Sequence, residues 1–143
     1  MYLSKIELQG FKSFARKTVL EFPAVSNKDP KANSITAIVG PNGSGKSNIA
    51  DAIRWVLGEQ SLKLLRGKKA EDVIFSGSPS LARQGFAEAS LYINNEDGKI
   101  PIEYSEVVIT RRVYRDGEGE YLINKNKVRL CWVLIGTNIV FFE

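Results

Sequence analysis

The chain has 143 residues, 43% of them hydrophobic and 25% charged, the balance of an ordinary globular domain with enough apolar material for a core. Its 20 Lys and Arg against 16 Asp and Glu give a net charge of +4, which permits a nucleic-acid partner without demanding one. The absence of histidine excludes imidazole-based catalysis and imidazole-bound zinc, and the single Cys131 excludes an intrachain disulfide and fits a reducing compartment.

Tyr2 to Gln9 reads as a strand with Tyr2, Ile6 and Leu8 on one face and Lys5 and Glu7 on the other. Thr18 to Phe22 is a second short strand, and Pro23 to Ser34 a polar loop. Ile35 to Val39 is nearly all apolar, the pattern of a strand buried on both faces. After the Gly- and Ser-rich stretch Gly40 to Ser47, a helix is predicted from Lys46 to Leu57, with Gly58 placed to end it. Ile49, Ile53, Val56 and Leu57 would face the core, and Asp51 and Arg54 the solvent. Trp55 borders the apolar stripe and reads as packing. From Phe86 the period changes to two: Phe86 to Ile93, Val107 to Arg115 and Glu120 to Ile123 are predicted strands, separated by strong turn signals at Asn94 to Gly98 and Asp116-Gly117. They form an antiparallel meander beside the sheet that carries the Gly- and Ser-rich stretch. Arg111, Arg112 and Arg115 within it read as mostly solvated.

The N-terminus lacks the apolar stretch of a signal peptide. The most apolar run, Leu130 to Phe142, is shorter than the roughly 20 residues that cross a bilayer. The expectation is a cytoplasmic chain with no membrane partner.

One motif carries chemistry. Gly40-Pro41-Asn42-Gly43-Ser44-Gly45-Lys46-Ser47 fits the phosphate-binding pattern G-x-x-x-x-G-K-[ST]. Glycines let the backbone curl round a phosphate with its N–H groups inward. The helix that follows offers the positive end of its dipole and its unpaired first-turn amides. Lys46 would reach the β- and γ-phosphates of ATP, and Ser47 would ligate Mg²⁺. The alternative is a Gly-rich strand-to-helix turn that holds nothing. The chain shows no apolar strand ending in an acidic pair after this loop, so binding is supported and hydrolysis by this chain alone is not.

A longer series surrounds the motif: Gly10-Phe11-Lys12-Ser13-Phe14, then Gly40 to Asn48, Ala52 to Gln60, Leu65-Arg66-Gly67 and Glu71 to Ser78. In this order it resembles the amino-terminal part of the prokaryotic chromosome-segregation SMC ATPases, over Met1 to about Leu130. The resemblance implies an α/β fold, the ABC-type P-loop NTPase head lobe, with a mixed sheet around a central P-loop helix and the meander beside it. It also implies that the partners are the carboxy-terminal lobe of the same head, a second head in a homodimer, DNA and kleisin-type accessory subunits, in a nucleoid-associated protein. The coiled coil, hinge, glutamine-bearing loop, signature motif, Walker B carboxylates and switch residue have no match in this sequence.

Carried over by position, Pro41, Asn42, Gly43, Ser44, Gly45, Lys46, Ser47 and Asn48 would wrap the phosphates, with ATP and Mg²⁺ as cofactors. Lys12 and Ser13 resemble the residues that close over the nucleotide; otherwise they are a solvated turn between packed phenylalanines. Arg66 matches a family arginine linked to DNA-stimulated turnover. With Lys63, Lys68 and Lys69 it makes a basic cluster suited to DNA phosphates, or else a charged, solvated loop. A related reading is a RecF- or RecN-type repair ATPase lobe, and another is a nucleotide-binding remnant without turnover. Residues 131–143, from Cys131-Trp132 to Phe141-Phe142, depart from the family and read as a frameshifted or truncated tail, or as a buried strand pair around Gly136 to Asn138.

Overall fold

The computed structural model describes residues 1–23 and 35–129. The bulk of the expected polar loop and the whole divergent tail lie outside the described residues.

Alternating side chains build the sheet. Strands β1 (Tyr2–Gln9), β2 (Thr18–Glu21), β3 (Phe86–Asn94), β4 (Glu106–Tyr114), β5 (Gly119–Ile123) and β6 (Asn126–Val128) pair antiparallel in the order β2-β1-β3-β4-β5-β6. The predicted meander is therefore continuous with the first two strands in one sheet. Ile6 and Leu8 of β1, Ala87, Ala89, Leu91 and Ile93 of β3, and Val107, Ile109 and Val113 of β4 are buried. The opposite face is polar, with Lys5 on Glu7 and Arg112 between Glu88 and Glu120. An antiparallel sheet covered on one side sorts its residues this way.

Helix α1 (Lys46–Val56) covers the apolar face through Ile49, Ala52, Trp55 and Val56. Gly58, at φ 103°, ends it as expected, with its N–H on the Trp55 carbonyl at 3.2 Å. Together sheet and helix form the α/β head lobe that the resemblance implied, but the described sheet is antiparallel throughout where a mixed sheet was expected.

Other sequence expectations need correction too. Ile35 to Val39 forms no strand: Ile35 is 92% and Val39 88% exposed. A strand needs a partner for its backbone N–H and C=O groups and a layer over each face to bury it, and no described strand pairs with this segment. Arg111 and Arg112 of β4 are also not mainly solvated, whereas Arg115, just past the strand, is exposed as expected. Arg111 lies between the rings of Trp55 and Tyr121, each 4.8 Å away, and donates to the carbonyls of Trp55 (2.8 Å) and Glu59 (3.0 Å). It ties the C-terminal end of α1 to the sheet. Arg115 holds the Gln84 and Phe75 carbonyls.

The turn after β1 sets the site's height above the sheet. Phe11 and Phe14 exchange backbone bonds at 3.1 and 2.8 Å, leaving Lys12 and Ser13 at the corner. Phe11 is fully buried with its ring 5.2 Å from Trp55. Just before it, Gly10 takes φ 63°, and a Cβ there would overlap the Phe86 carbonyl oxygen. Both strain and collision oppose any side chain. Gly10→Ala is therefore expected to cost about 3 kcal/mol or more, read as a lower urea midpoint at unchanged slope; an unchanged midpoint would show that the turn yields freely.

Candidate nucleotide-binding site

The loop Gly40 to Ser47 runs into α1 with the features an anion needs. Gly45 is left-handed at φ 93° and caps the helix without a side-chain bond, and the first turn carries no acidic residue. Among the described residues, the N–H groups of Gly43, Gly45, Lys46 and Ser47 meet no backbone acceptor outside regular structure. Bare amides at a helix start carry the positive end of its dipole. Gly45 must also stay small, since a Cβ would lie 2.9 Å from Ser13 Oγ and 3.1 Å from the Phe14 ring. Lys46 curls over the loop and donates to the Gly40 (2.6 Å) and Pro41 (2.7 Å) carbonyls. A cleft of about 250 Å³ opens here, lined by Asn42, Gly43, Gly45, Lys46, Ser47, Asn48 and Arg66. Among the described residues no carboxylate lines it. The donor set fits a polyphosphate, and the Ser47 hydroxyl, exposed at the cleft, fits a hard cation beside it.

A second cleft of about 370 Å³ shares Asn48 and Arg66 and adds Lys12, Asp72 and the Ile74 to Gly77 segment. The two clefts meet at a side-chain network. Lys12 Nζ and the Arg66 guanidinium both donate to the Asp51 carboxylate. Lys12 also donates to the Leu65 carbonyl at 2.6 Å. Arg66 Nη2 donates to Asn48 Oδ1 at 3.0 Å, and Asn48 Nδ2 donates to Ser13 Oγ at 2.8 Å.

Lys12, Ser13, Asn48, Arg66 and the loop are thus brought together. Lys63, Lys68 and Lys69 are exposed and line neither cleft. Backbone N–H groups of Lys68 and Lys69 hold Asp72, lowering its carboxyl from the ordinary range. Arg66 stands with the phosphate loop instead of with those lysines.

Asp51 corrects the sequence expectation: it is not on the solvent side but 3% exposed. The signal was available, because Asp51 and Trp55 are four residues apart on one helix and share a face. Burial pushes its carboxyl up, but hydrogen bonds and charge from Lys12 and Arg66 outweigh this and hold it below the ordinary range.

Comparison with known proteins accords with this geometry. The profile of the RecF/RecN/SMC N terminal domain matches residues 2–134. The chain belongs to this family. Over 130 residues it is 58% identical to the chromosome partition protein Smc of Desulfitobacterium hafniense and 52% to that of Bacillus subtilis, covering 91% of this chain and 10% of each relative. It therefore spans about a tenth of the length of these curated relatives. A solved SMC head bound to the C-winged helix domain of ScpA superposes with TM-score 0.86 at 43% identity, over 96% of this chain and 40% of that one. A RecF–ATP structure reaches 0.63 at 22% identity, over 90% and 28%, a likeness of fold. The fold is that of the amino-terminal part of an SMC head.

The lowered Asp51 carboxyl fixes the sign of a pH effect. Its contribution is fully present above the unfolded value of about 4 and is lost as pH falls through the lower native value. Asp51→Asn is expected to cost about 2–3 kcal/mol at neutral pH, less than a fully buried pair because Arg66 is half exposed. In urea titrations the deficit should shrink on acidification below about pH 4. Parallel stability curves down to pH 2 would contradict the pairing.

Proposed function

We propose that the chain is the ATP-binding half of an SMC-type ATPase head, acting in chromosome condensation and segregation through ATP-dependent head engagement and DNA binding. The observation that carries this is the cleft itself: bare amides at the α1 start, Lys46, Ser47 and Arg66 around one space, with no carboxylate in its lining among the described residues. Curated relatives carry the name chromosome partition protein Smc. A structure at TM-score 0.86 and 42% identity comes from work on ATP-driven dimerization and DNA-stimulated activation of SMC ATPases.

In this reading the Gly43 to Ser47 amides bind phosphate oxygens, and Lys46 leaves its carbonyls for the β- and γ-phosphates. Asn42, Ser44 and Asn48 fix the loop's edges, and Pro41 its entry. Lys12 and Ser13 close the cleft from the β1 turn. Mg²⁺, when bound beside Ser47, supplies neutralisation of charge on the phosphates. The acidic metal partner and the group that orients water come from the carboxy-terminal lobe, and the signature motif from a second head. The exposed Ile35 to Val39 run adjoins the loop, and in this reading it belongs to the surface that the carboxy-terminal lobe covers.

Exposed Lys63, Lys68 and Lys69 supply salt-dependent contacts to DNA phosphates beside Arg66. Kleisin-type subunits bind other parts of the head; ScpA is the protein bound in the similar head structures. No helix among the described residues is long and apolar enough to cross a membrane, and the proposed location is the cytoplasm, on the nucleoid.

Two measurements test this. Lys46→Ala is expected to abolish Mg-ATP binding by calorimetry, since a charge-assisted contact is worth about 1.5–3 kcal/mol and several phosphate contacts share that geometry. Unchanged affinity would sink the reading. Phosphate release should require an added carboxy-terminal lobe; turnover by the chain alone would show that its own residues complete the site.

A further inference from the structure

Four residues other than glycine have left-handed backbones among the described residues: Lys12, Arg66, Asn124 and Lys125. Asn124 and Lys125 form the two-residue turn between β5 and β6, where paired strands demand that conformation. Lys12 (φ 48°) takes it at the corner of the Phe11–Phe14 turn, and Arg66 (φ 54°) where its own N–H bonds the Lys63 carbonyl and that of Gly67 the Leu62 carbonyl. They stand in different loops, 54 positions apart in sequence numbering, yet both side chains end on the same buried carboxylate.

The network is unequal in a useful way. One anion faces two cations, so positive charge is left over. The Lys12 side chain is 12% exposed and committed to Asp51 and Leu65, whereas that of Arg66 is 52% exposed and lines both clefts. Arg66 spends Nε (3.1 Å) and Nη2 on Asp51, and Nη2 also on Asn48. Its Nη1 meets no acceptor among the described residues. A guanidinium gripped along one edge presents the rest of its planar fork in a fixed orientation, the geometry that favours phosphate oxygens.

Resting on the reading of the cleft as a nucleotide site, we infer that Asp51 is a positioning residue: it holds Arg66, braced by Lys12, so that its free guanidinium edge faces the phosphates before nucleotide arrives. Preorganisation of this kind raises affinity by removing the ordering cost from the binding step. Simple electrostatics points the other way, because a carboxylate close to a polyphosphate repels it. The sign of the effect of removing that charge therefore separates the two accounts.

The test is Mg-ATP calorimetry on the whole 143-residue chain, comparing wild type with Lys46→Ala, Asp51→Asn, Arg66→Ala and the Asp51→Asn/Arg66→Ala double variant. Asp51→Asn should weaken binding about tenfold, the low end of what losing an outer partner costs at a charged site. The double variant should bind about as weakly as Arg66→Ala alone, a non-additivity that mere loss of stability would not produce. Binding by Asp51→Asn as tight as wild type or tighter, or strict additivity, would overturn the inference while Lys46→Ala still abolished binding. If Lys46→Ala bound like wild type, the reading of the cleft would itself fail, and the inference with it. Should Asp51→Asn not fold, ¹⁵N relaxation of the ligand-free wild-type chain decides. Arg66 Nε should approach the order parameter of rigid backbone, about 0.85, with exposed Arg54 and Arg83 below about 0.6. An Arg66 as mobile as those two would refute the positioning role.

Discussion

A carboxylate taken out of water must be paired, because leaving it bare costs several kcal/mol. Asp51 sits on α1 one turn above Trp55, so the packing that buries the tryptophan also buries the acid. Two separate loops have to supply its cations. The β1 turn brings Lys12, and the segment after α1 brings Arg66. Neither loop belongs to regular structure, yet both are fixed against the helix that opens at the phosphate-binding loop. The cleft takes its shape from this requirement: its walls are the loops drawn in to neutralise one acid.

Packing beneath the site serves the same end. Phe11 wedges its ring against Trp55, and Gly10 allows the chain to pass close to Phe86. At the far end of α1, Arg111 binds the Trp55 carbonyl in the last turn and the Glu59 carbonyl just beyond it, and stacks on Trp55. Burial lowers the pKa of that guanidinium, but it keeps its charge and complements the negative end of the helix dipole. The helix is thus anchored to the sheet at its C-terminal end and clamped by loops along the other. Its N-terminal amides, left without acidic neighbours, face the cleft.

Much of this was legible in the sequence, for reasons that differ by element. The alternation in β1, β3 and β4 and the helical spacing around Ile49 and Val56 report burial on one face, a local property. β6 escaped notice because its turn, Asn124-Lys125, lacks the glycine that usually marks a two-residue hairpin. Ile35 to Val39 has the composition of a central strand, but burial of such a strand depends on neighbours beyond the described residues. The phosphate loop announced itself because its chemistry lies in consecutive residues. Asp51 did not, since its meaning depends on cations from two distant loops. Arg66 was read with the nearby lysines by proximity in sequence, whereas the fold turns it toward the loop.

The distribution of charge also defines what this lobe contributes. It offers amides, a lysine, an arginine and a hydroxyl, while its nearest buried acid is already engaged by two cations. Such a surface fits a triphosphate, and in the proposed function turnover takes its acidic groups from elsewhere. The most direct measurement is an amide chemical-shift titration of the chain with Mg-ATP, with adenosine as control. The account requires saturable shifts centred on Gly43 to Asn48 and Arg66 with Mg-ATP, and none there with adenosine. Equal shifts with adenosine, or shifts confined to the apolar cleft between Leu3 and Leu57, would contradict it.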